Sequence, residues 1–180
     1  MFGKISIIGC GLIGSSILRA TQEKKLATKI SIYDKSNKVI EYLKKNFTAD
    51  ICSDVSETTK DADLIIISAP LSSYKEILLS IKSTLKEGSI LTDTGSAKKE
   101  VNKIVNNLSL KNISWIASHP IAGTEYSGPA AGFSSLFKNR WCILSADNQV
   151  AKDKMESLKK FWSKLGSKVK IMSFEDHDYV

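Results

Sequence analysis

Three glycines placed where an apolar strand gives way to a helix constrain this chain more than any other feature. Gly9-Cys10-Gly11-Leu12-Ile13-Gly14 follows the strand-like run Lys4 to Ile8 and opens an amphipathic stretch from about Ile13 to Lys24. A turn this sharp needs freedom of backbone angle at Gly9, no side chain at Gly11 where the backbone must approach a ligand, and no Cβ at Gly14 where the helix meets the sheet. The start of such a helix offers unpaired N–H groups and the positive end of its dipole, which suits the pyrophosphate of a dinucleotide. The spacing by itself is common. Its context here is specific, because Asp34 stands at the end of the next strand, about twenty residues beyond Gly14, where a carboxylate meets the adenosine ribose hydroxyls. Asp34 would repel a 2′-phosphate, so the expected cofactor is NAD in preference to NADP. Lys35 and Ser36 are the neighbours that could hold a phosphate if Asp34 swung aside, and Asp34 could also act only as a helix cap.

The rest of the chain repeats the same alternation. Strands are expected at Lys29 to Tyr33, Ala49 to Cys52, Leu64 to Ser68, Ile90 to Thr92, Ile113 to Ala117, Trp141 to Leu144 and Lys168 to Ile171. Helices are expected from about Ser36 to Lys45, Ser56 to Lys60, Tyr74 to Leu85, Ala97 to Asn107 and Ala151 to Leu165. Leu64 to Ser68 is nearly all apolar, as a strand buried on both faces should be, and Ala69-Pro70 ends it against the cofactor. Alternating strands and helices predict a doubly wound α/β domain with a mostly parallel sheet, the Rossmann arrangement, with ligands at the carboxyl ends of the strands. At 180 residues the chain suffices for one such domain with a real core.

Composition removes several classes of function. The formal charge of +7 rests on scattered lysines, with Arg19 and Arg140 the only guanidinium groups, so no nucleic-acid surface is expected. Arg19 reads as a surface residue on the first helix. No apolar run approaches membrane-spanning length and no targeting signal is evident, which points to a cytoplasmic protein. Cys10, Cys52 and Cys142 lack disulfide or metal-ligand spacing, so no metal is expected and Cys10 reads as a small filler.

Only two histidines are present, His119 and His177, and any imidazole proton transfer must use one of them. His119 lies in His119-Pro120-Ile121-Ala122-Gly123-Thr124-Glu125-Tyr126-Ser127-Gly128, just beyond a strand at the ligand-binding edge. Thr92-Asp93-Thr94-Gly95-Ser96-Ala97-Lys98 ends the preceding strand, so Ser96 is expected to sit beside both His119 and the nicotinamide and to orient the imidazole, or to cap the following helix. Glu125 could instead satisfy its own turn, and His177 falls in Glu175-Asp176-His177-Asp178, which also reads as a helix start.

These residues together resemble the prephenate/arogenate dehydrogenase family. The resemblance is carried by the Thr-Gly-Ser-x-Lys turn, by His-Pro-x-x-Gly-x-Glu-x-Ser-Gly and by Asp176-His177-Asp178, and spans residues 4 to 180. It implies NAD-dependent oxidative decarboxylation of prephenate to 4-hydroxyphenylpyruvate in tyrosine biosynthesis, with arogenate as the alternative substrate. His119 and Ser96 would be catalytic, and Glu125, His177, Thr94 and Gly95 would contact the substrate. Gly9, Gly11, Leu12, Ile13, Gly14, Asp34, Ala69 and Pro70 would hold the cofactor. The resemblance also implies a dinucleotide-binding domain over residues 1–173 and, from 174–180, the start of a linker helix. That helix would lead to a C-terminal helical domain, absent from this chain, that forms the homodimer and supplies an arginine for a substrate carboxylate. Arg140 shows no reason to replace that arginine, and the chain alone is expected to bind NAD while turning over prephenate poorly. The competing readings are a β-hydroxyacid dehydrogenase, whose Gly-Gly-x-x-x-Lys segment is lacking, and a truncated NAD-binding module without catalysis.

Overall fold

Each expected apolar run forms a strand in the computed structural model, which describes residues 2–179 and leaves only the outermost residue of each expected domain range, Met1 and Val180, outside it. Strands β1 (Phe2–Ile8), β2 (Ala27–Tyr33), β3 (Asp50–Ile51), β4 (Leu64–Ile67), β5 (Ile90–Asp93) and β6 (Ser114–Trp115) make one parallel sheet in the order β3-β2-β1-β4-β5-β6. Helices α1 (Leu12–Glu23), α2 (Asn37–Asn46), α3 (Val55–Thr59), α4 (Tyr74–Ile81) and α5 (Lys98–Asn107) make the crossovers. β4 shows why the sheet is covered on both sides. Leu64 and Ile66 enter one apolar cluster with Ile5, Ile7, Ile17 and Trp162, whereas Ile65 and Ile67 enter the other with Leu78, Val101 and Trp115. That alternation is the strand's two-residue period, and it accounts for four consecutive apolar residues.

Strand order reverses between β1 and β4, and there the carboxyl ends part to leave a crevice. Gly9, Ser68 and Thr94 meet at this point. Gly9 has a φ of +88°, and a Cβ on it would lie 2.7 Å from the Ser68 carbonyl oxygen, so both its conformation and its space demand glycine.

The structure departs from the expected single sheet after β6. Only Ile116 separates β6 from β7 (Ala117–Pro120), which joins β8 (Trp141–Ser145) and β9 (Lys168–Ile171) in a second, three-stranded sheet. β7 runs antiparallel to β8, and β8 parallel to β9. His119 therefore lies within a strand, paired with Ile143, and the loop begins beyond it. Pro120 does not end the pairing, because the Ile121 N–H still reaches the Trp141 carbonyl at 2.7 Å.

Helix α6 (Lys152–Leu165) joins the two sheets: the Trp162 indole donates to Ser118 Oγ at 3.1 Å, and that hydroxyl lies 2.7 Å from Thr92 Oγ1. Arg19 is not the surface residue expected of it. It is half-buried, bonds Tyr42 Oη and the Pro129 carbonyl, and lies 4.6 Å over the Phe47 ring, fixing the segment after β7 to α1. The chain ends in α7 (Phe174–His177), which packs on the domain through the buried Phe174 and His177. Among the described residues no helix is long and apolar enough to cross a membrane.

Candidate active site

Two cavities flank the turn Thr94-Gly95-Ser96. The first, of about 780 Å³, is walled by the glycine loop, Asp34, Ser68-Ala69-Pro70 and Thr94-Gly95. At its base α1 begins with Gly11 as N-cap, without a side-chain cap and without an acidic residue in its first turn. The first N–H groups of a helix lack intrahelical acceptors, so those of α1 are left for a ligand. A Cβ on Gly11 would meet nothing within 4 Å, whereas one on Gly14 would collide with the Gly9 carbonyl oxygen. Gly11 is thus required by what enters the cavity and Gly14 by the fold. Asp34 does more than cap: its Oδ2 accepts the Cys10 N–H at 2.7 Å and its Oδ1 the Ser36 N–H at 2.9 Å, tying the glycine loop to the end of β2. Burial, reinforced by the Asp34 charge, pushes the Cys10 thiol up to about 12, so it remains a neutral packing group.

The second cavity, of about 840 Å³, lies on one face of the small sheet and is closed on the other side by Ser96, Ala97, His177 and Asp178. His119 Nδ1 is 2.9 Å from His177 Nε2, and His177 Nδ1 is 2.8 Å from Asp178 Oδ1. Burial alone would raise the Asp178 carboxyl, but hydrogen bonds from His177 and from the N–H groups of Lys99 and Lys98 outweigh it and hold it below the usual carboxylate value. With Asp178 ionised, His177 donates from Nδ1 and, while neutral, accepts at Nε2. His119 must then donate from Nδ1, which leaves its Nε2 lone pair without a partner among the described residues and able to take a proton. Burial, and after it the Lys98 charge and His177, bring the His119 imidazole down to about 4, so the ring is neutral at physiological pH.

Asp93 and Lys98 form a buried clasp beneath both cavities. Lys98 Nζ lies 2.7 and 2.6 Å from the two Asp93 oxygens, with the two side chains 1% and 0% exposed. Burial draws the ammonium below its ordinary value, and the Asp93 carboxylate opposes that shift. Asp93 also accepts the N–H of Gly95 at 3.1 Å and that of Ser118 at 3.2 Å. One carboxylate thereby fixes the residues preceding both Ser96 and His119.

The structure brings together His119, His177 and Ser96 as expected, but it distributes their contacts differently. Ser96 sits on an exposed turn and forms no hydrogen bond with His119 among the described residues, so the partner of the imidazole is His177. Nor does Ser96 cap α5. Asp178 does so, from near the end of the chain, through the Lys98 and Lys99 N–H groups at 3.2 and 3.1 Å. Thr94 and Gly95 line the glycine-loop cavity and not the histidine cavity, and Glu125 is exposed and lines neither. Gly9, Gly11, Leu12, Ile13, Asp34, Ala69 and Pro70 all line the first cavity, and Gly14 lies buried behind it. Sequence reasoning missed the Asp93–Lys98 pair and Asp178, although both occur in motifs it singled out. Among the described residues no group of histidine, cysteine, aspartate and glutamate is placed to hold a metal.

Comparison with known proteins agrees with this geometry. The family described as "Prephenate dehydrogenase, nucleotide-binding domain" matches residues 17–171. The cyclohexadienyl dehydrogenase of Zymomonas mobilis is 35% identical over all of this chain and 61% of its own length, and the prephenate dehydrogenase of Lactococcus lactis 33% identical over 98% of this chain and 48% of its own. The chain thus spans about half to three fifths of the curated relatives it matches. The prephenate dehydrogenase of Aquifex aeolicus, solved with hydroxyphenyl propionate and NAD+, superposes with a TM-score of 0.88 at 25% identity, over 99% of this chain and 63% of that one. With a family match that takes in most of its length, the chain belongs to the prephenate dehydrogenase family, of which it is a nucleotide-binding domain.

Proposed function

We propose that the chain is the NAD-binding half of a prephenate dehydrogenase and carries its proton-transfer histidine. The observation that carries this reading is the pairing of an uncapped glycine-loop helix with a histidine that lines the adjoining cavity and whose Nε2 has no partner among the described residues, only the Thr94-Gly95-Ser96 turn apart. The residues of the first cavity fit a dinucleotide: Gly11 and the start of α1 receive the pyrophosphate, and Asp34, half-exposed, has lone pairs left for ribose hydroxyls, which favours NAD over NADP. NAD bound there supplies the hydride acceptor.

In the second cavity His119 Nε2 accepts the hydrogen bond of the C4 hydroxyl of prephenate and draws its proton away as C4 is oxidised. The His177–Asp178 chain steadies the charge that develops on the imidazole. Carbon dioxide leaves, the ring becomes aromatic, and the proton returns to the phenolic oxygen, giving 4-hydroxyphenylpyruvate. Aromatisation supplies much of the driving force, so the protein mainly positions and polarises the substrate. Ser96, exposed on the dividing turn, is placed to contact the substrate or the nicotinamide. The proposal extends to a homodimer, to a helical domain covering the rim of the cavity, where Ile121 and Trp141 are 44% and 50% exposed, and to a cytoplasmic site of action.

The test is NADH formation from prephenate and NAD by the longest natural polypeptide that carries this sequence, wild type against His119→Asn, with a calorimetric NAD titration of each. Turnover should fall about 10²- to 10⁴-fold with NAD affinity unchanged. Equal turnover in the two proteins would remove His119 from the reaction.

A further inference from the structure

We propose that Tyr74 is a positioning residue for the reaction: its buried phenol, acting through Asp93, fixes the Thr94-Gly95-Ser96 turn that divides the two cavities and so sets the spacing between cofactor and substrate. This role rests on the reaction argued above. It involves no contact of Tyr74 with either ligand.

Tyr74 opens α4, the helix that supplies Glu76, Ile77 and Ser80 to the wall of the glycine-loop cavity. Its own side chain is 1% exposed and lines neither cavity. The ring belongs to the apolar cluster of Ile65, Ile67, Leu78 and Leu91. Its oxygen reaches the carboxyl ends of β4 and β5, 3.4 Å from the Ile67 carbonyl and 3.3 Å from Asp93 Oδ2. The phenol has one proton to give. The Ile67 carbonyl already accepts the Thr94 N–H at 3.1 Å, so the proton goes to the carboxylate, the charged and stronger acceptor. Burial, and after it the Asp93 charge, push the phenol up against the opposing N–H groups of Gly95 and Thr94, so it stays protonated and able to donate. Gly95 rests directly on this pair: a Cβ added to it would lie 3.2 Å from both Tyr74 Oη and Asp93 Oδ2.

Charge balance does not require the phenol, because Lys98 already neutralises Asp93. A phenylalanine would fill the same apolar space without the cost of burying a hydroxyl. What the hydroxyl adds is direction. Lys98 holds the carboxylate from the start of α5 and Tyr74 from the start of α4, and a second partner on another helix limits rotation of the carboxylate about the ammonium. The same Oδ2 accepts the Gly95 N–H at 3.1 Å, so the turn is held as firmly as the carboxylate is. Reacting groups displaced by about 1 Å can lose about 10²-fold in rate, so a loosened turn should appear in the chemical step.

The experiment compares wild type, Tyr74→Phe and Ile81→Val in the longest natural polypeptide that carries this sequence. Tyr74→Phe keeps the ring and removes the oxygen. Ile81→Val removes one buried methyl group from the same helix and controls for lost stability alone. Amide deuterium exchange is followed in the protein without cofactor, and NADH formation from prephenate in the steady state. In Tyr74→Phe, peptides covering Thr92 to Ala97 should exchange about tenfold faster and kcat should fall about tenfold, while the KM for prephenate and the Kd for NAD stay within about twofold. Ile81→Val should change none of these. Unchanged exchange over that stretch, an unchanged kcat, or an equal fall in Ile81→Val each overturns the role of Tyr74, and so does a loss confined to KM. Wild type that forms no NADH overturns the functional reading itself, and the role of Tyr74 with it.

Discussion

The two cavities that meet at Thr94-Gly95-Ser96 are built on opposite principles. The glycine-loop cavity is a backbone construction: its shape follows from a strand, three glycines and the start of a helix within a few residues, and its ligand is met by peptide N–H groups. The histidine cavity is a side-chain construction, assembled from the turn after β5 and from β7, β8, β9 and α7, and its chemistry depends on which atom of a ring holds a proton. A backbone site is specified locally and tolerates drift elsewhere in the chain. A side-chain site needs a buried element to hold its distant parts in register, and in this molecule that element is the Asp93–Lys98 clasp.

Lys98→Met should produce the largest effect, because it leaves the fully buried Asp93 carboxylate without its counter-charge. Breaking one partner of such a pair costs about 3 to 5 kcal/mol, read as a drop in the denaturation midpoint. Adding Asp93→Asn should recover part of the loss. If Lys98→Met were as stable as wild type, the clasp would be incidental and the histidine cavity would need another organiser.

Asp178→Asn comes next and strikes only the side-chain site. Asparagine still caps α5, so stability should change little. Its amide can donate to His177 Nδ1, however, which reverses the tautomer of both rings and puts a proton on His119 Nε2. Turnover should fall about 10²-fold or more, by the logic that applies wherever a carboxylate fixes the tautomer of a catalytic histidine. NAD affinity should not move, and a parallel loss of NAD binding would show that the cavities are not separable.

The same contrast governs what could be read from sequence. The glycine loop, Asp34 and the alternation of strands and helices needed only short-range pattern, and Gly9, Gly11 and Gly14 occupy the positions their spacing implied. His119 was found because the chain has two histidines and one lies beside a strand. Its partner was misassigned: Ser96 is near in the motif, whereas the His177 contact spans 58 residues and depends on where α7 packs. The second sheet was missed for a related reason, since the apolar run Ile113 to Ala117 carries no mark of the change of partner at Ile116.

Two glycines a few residues apart test the backbone site at a smaller scale. Gly14→Ala drives a Cβ into the Gly9 carbonyl and should cost about 1 to 3 kcal/mol of stability, as overpacking does. Gly11→Ala adds a Cβ to open space, so stability should stay within about 0.5 kcal/mol, while NAD affinity falls because the methyl occupies the approach to the pyrophosphate. Calorimetric unfolding and NAD titration of both variants separate the two outcomes. A Gly11→Ala protein with full NAD affinity would break the assignment of the glycine loop.

The smallest effect is a pH dependence that distinguishes a cavity closed to water from an open one. Burial holds the folded His119 imidazole at about 4, below its ordinary 6.5. Above pH 6.5 the ring is neutral in the folded and unfolded chain alike, and it contributes no slope. As pH falls from 6.5 towards 4 the unfolded chain takes up a proton that the folded site refuses, so stability declines across that window and levels off below it. Asp178, depressed below 3.8, adds a loss in the same direction but at lower pH, so the difference between wild type and His119→Asn isolates the histidine. Lys98→Met removes a positive neighbour and exposes the ring to the unpaired Asp93, and both changes raise the imidazole pKa and shrink the window. The acidic limb of kcat/KM should move with it, from near 4 in wild type towards 6.5. A wild-type limb already near 6.5 would mean that the imidazole titrates as a solvated group and that the histidine cavity is as open to water as the glycine-loop cavity beside it.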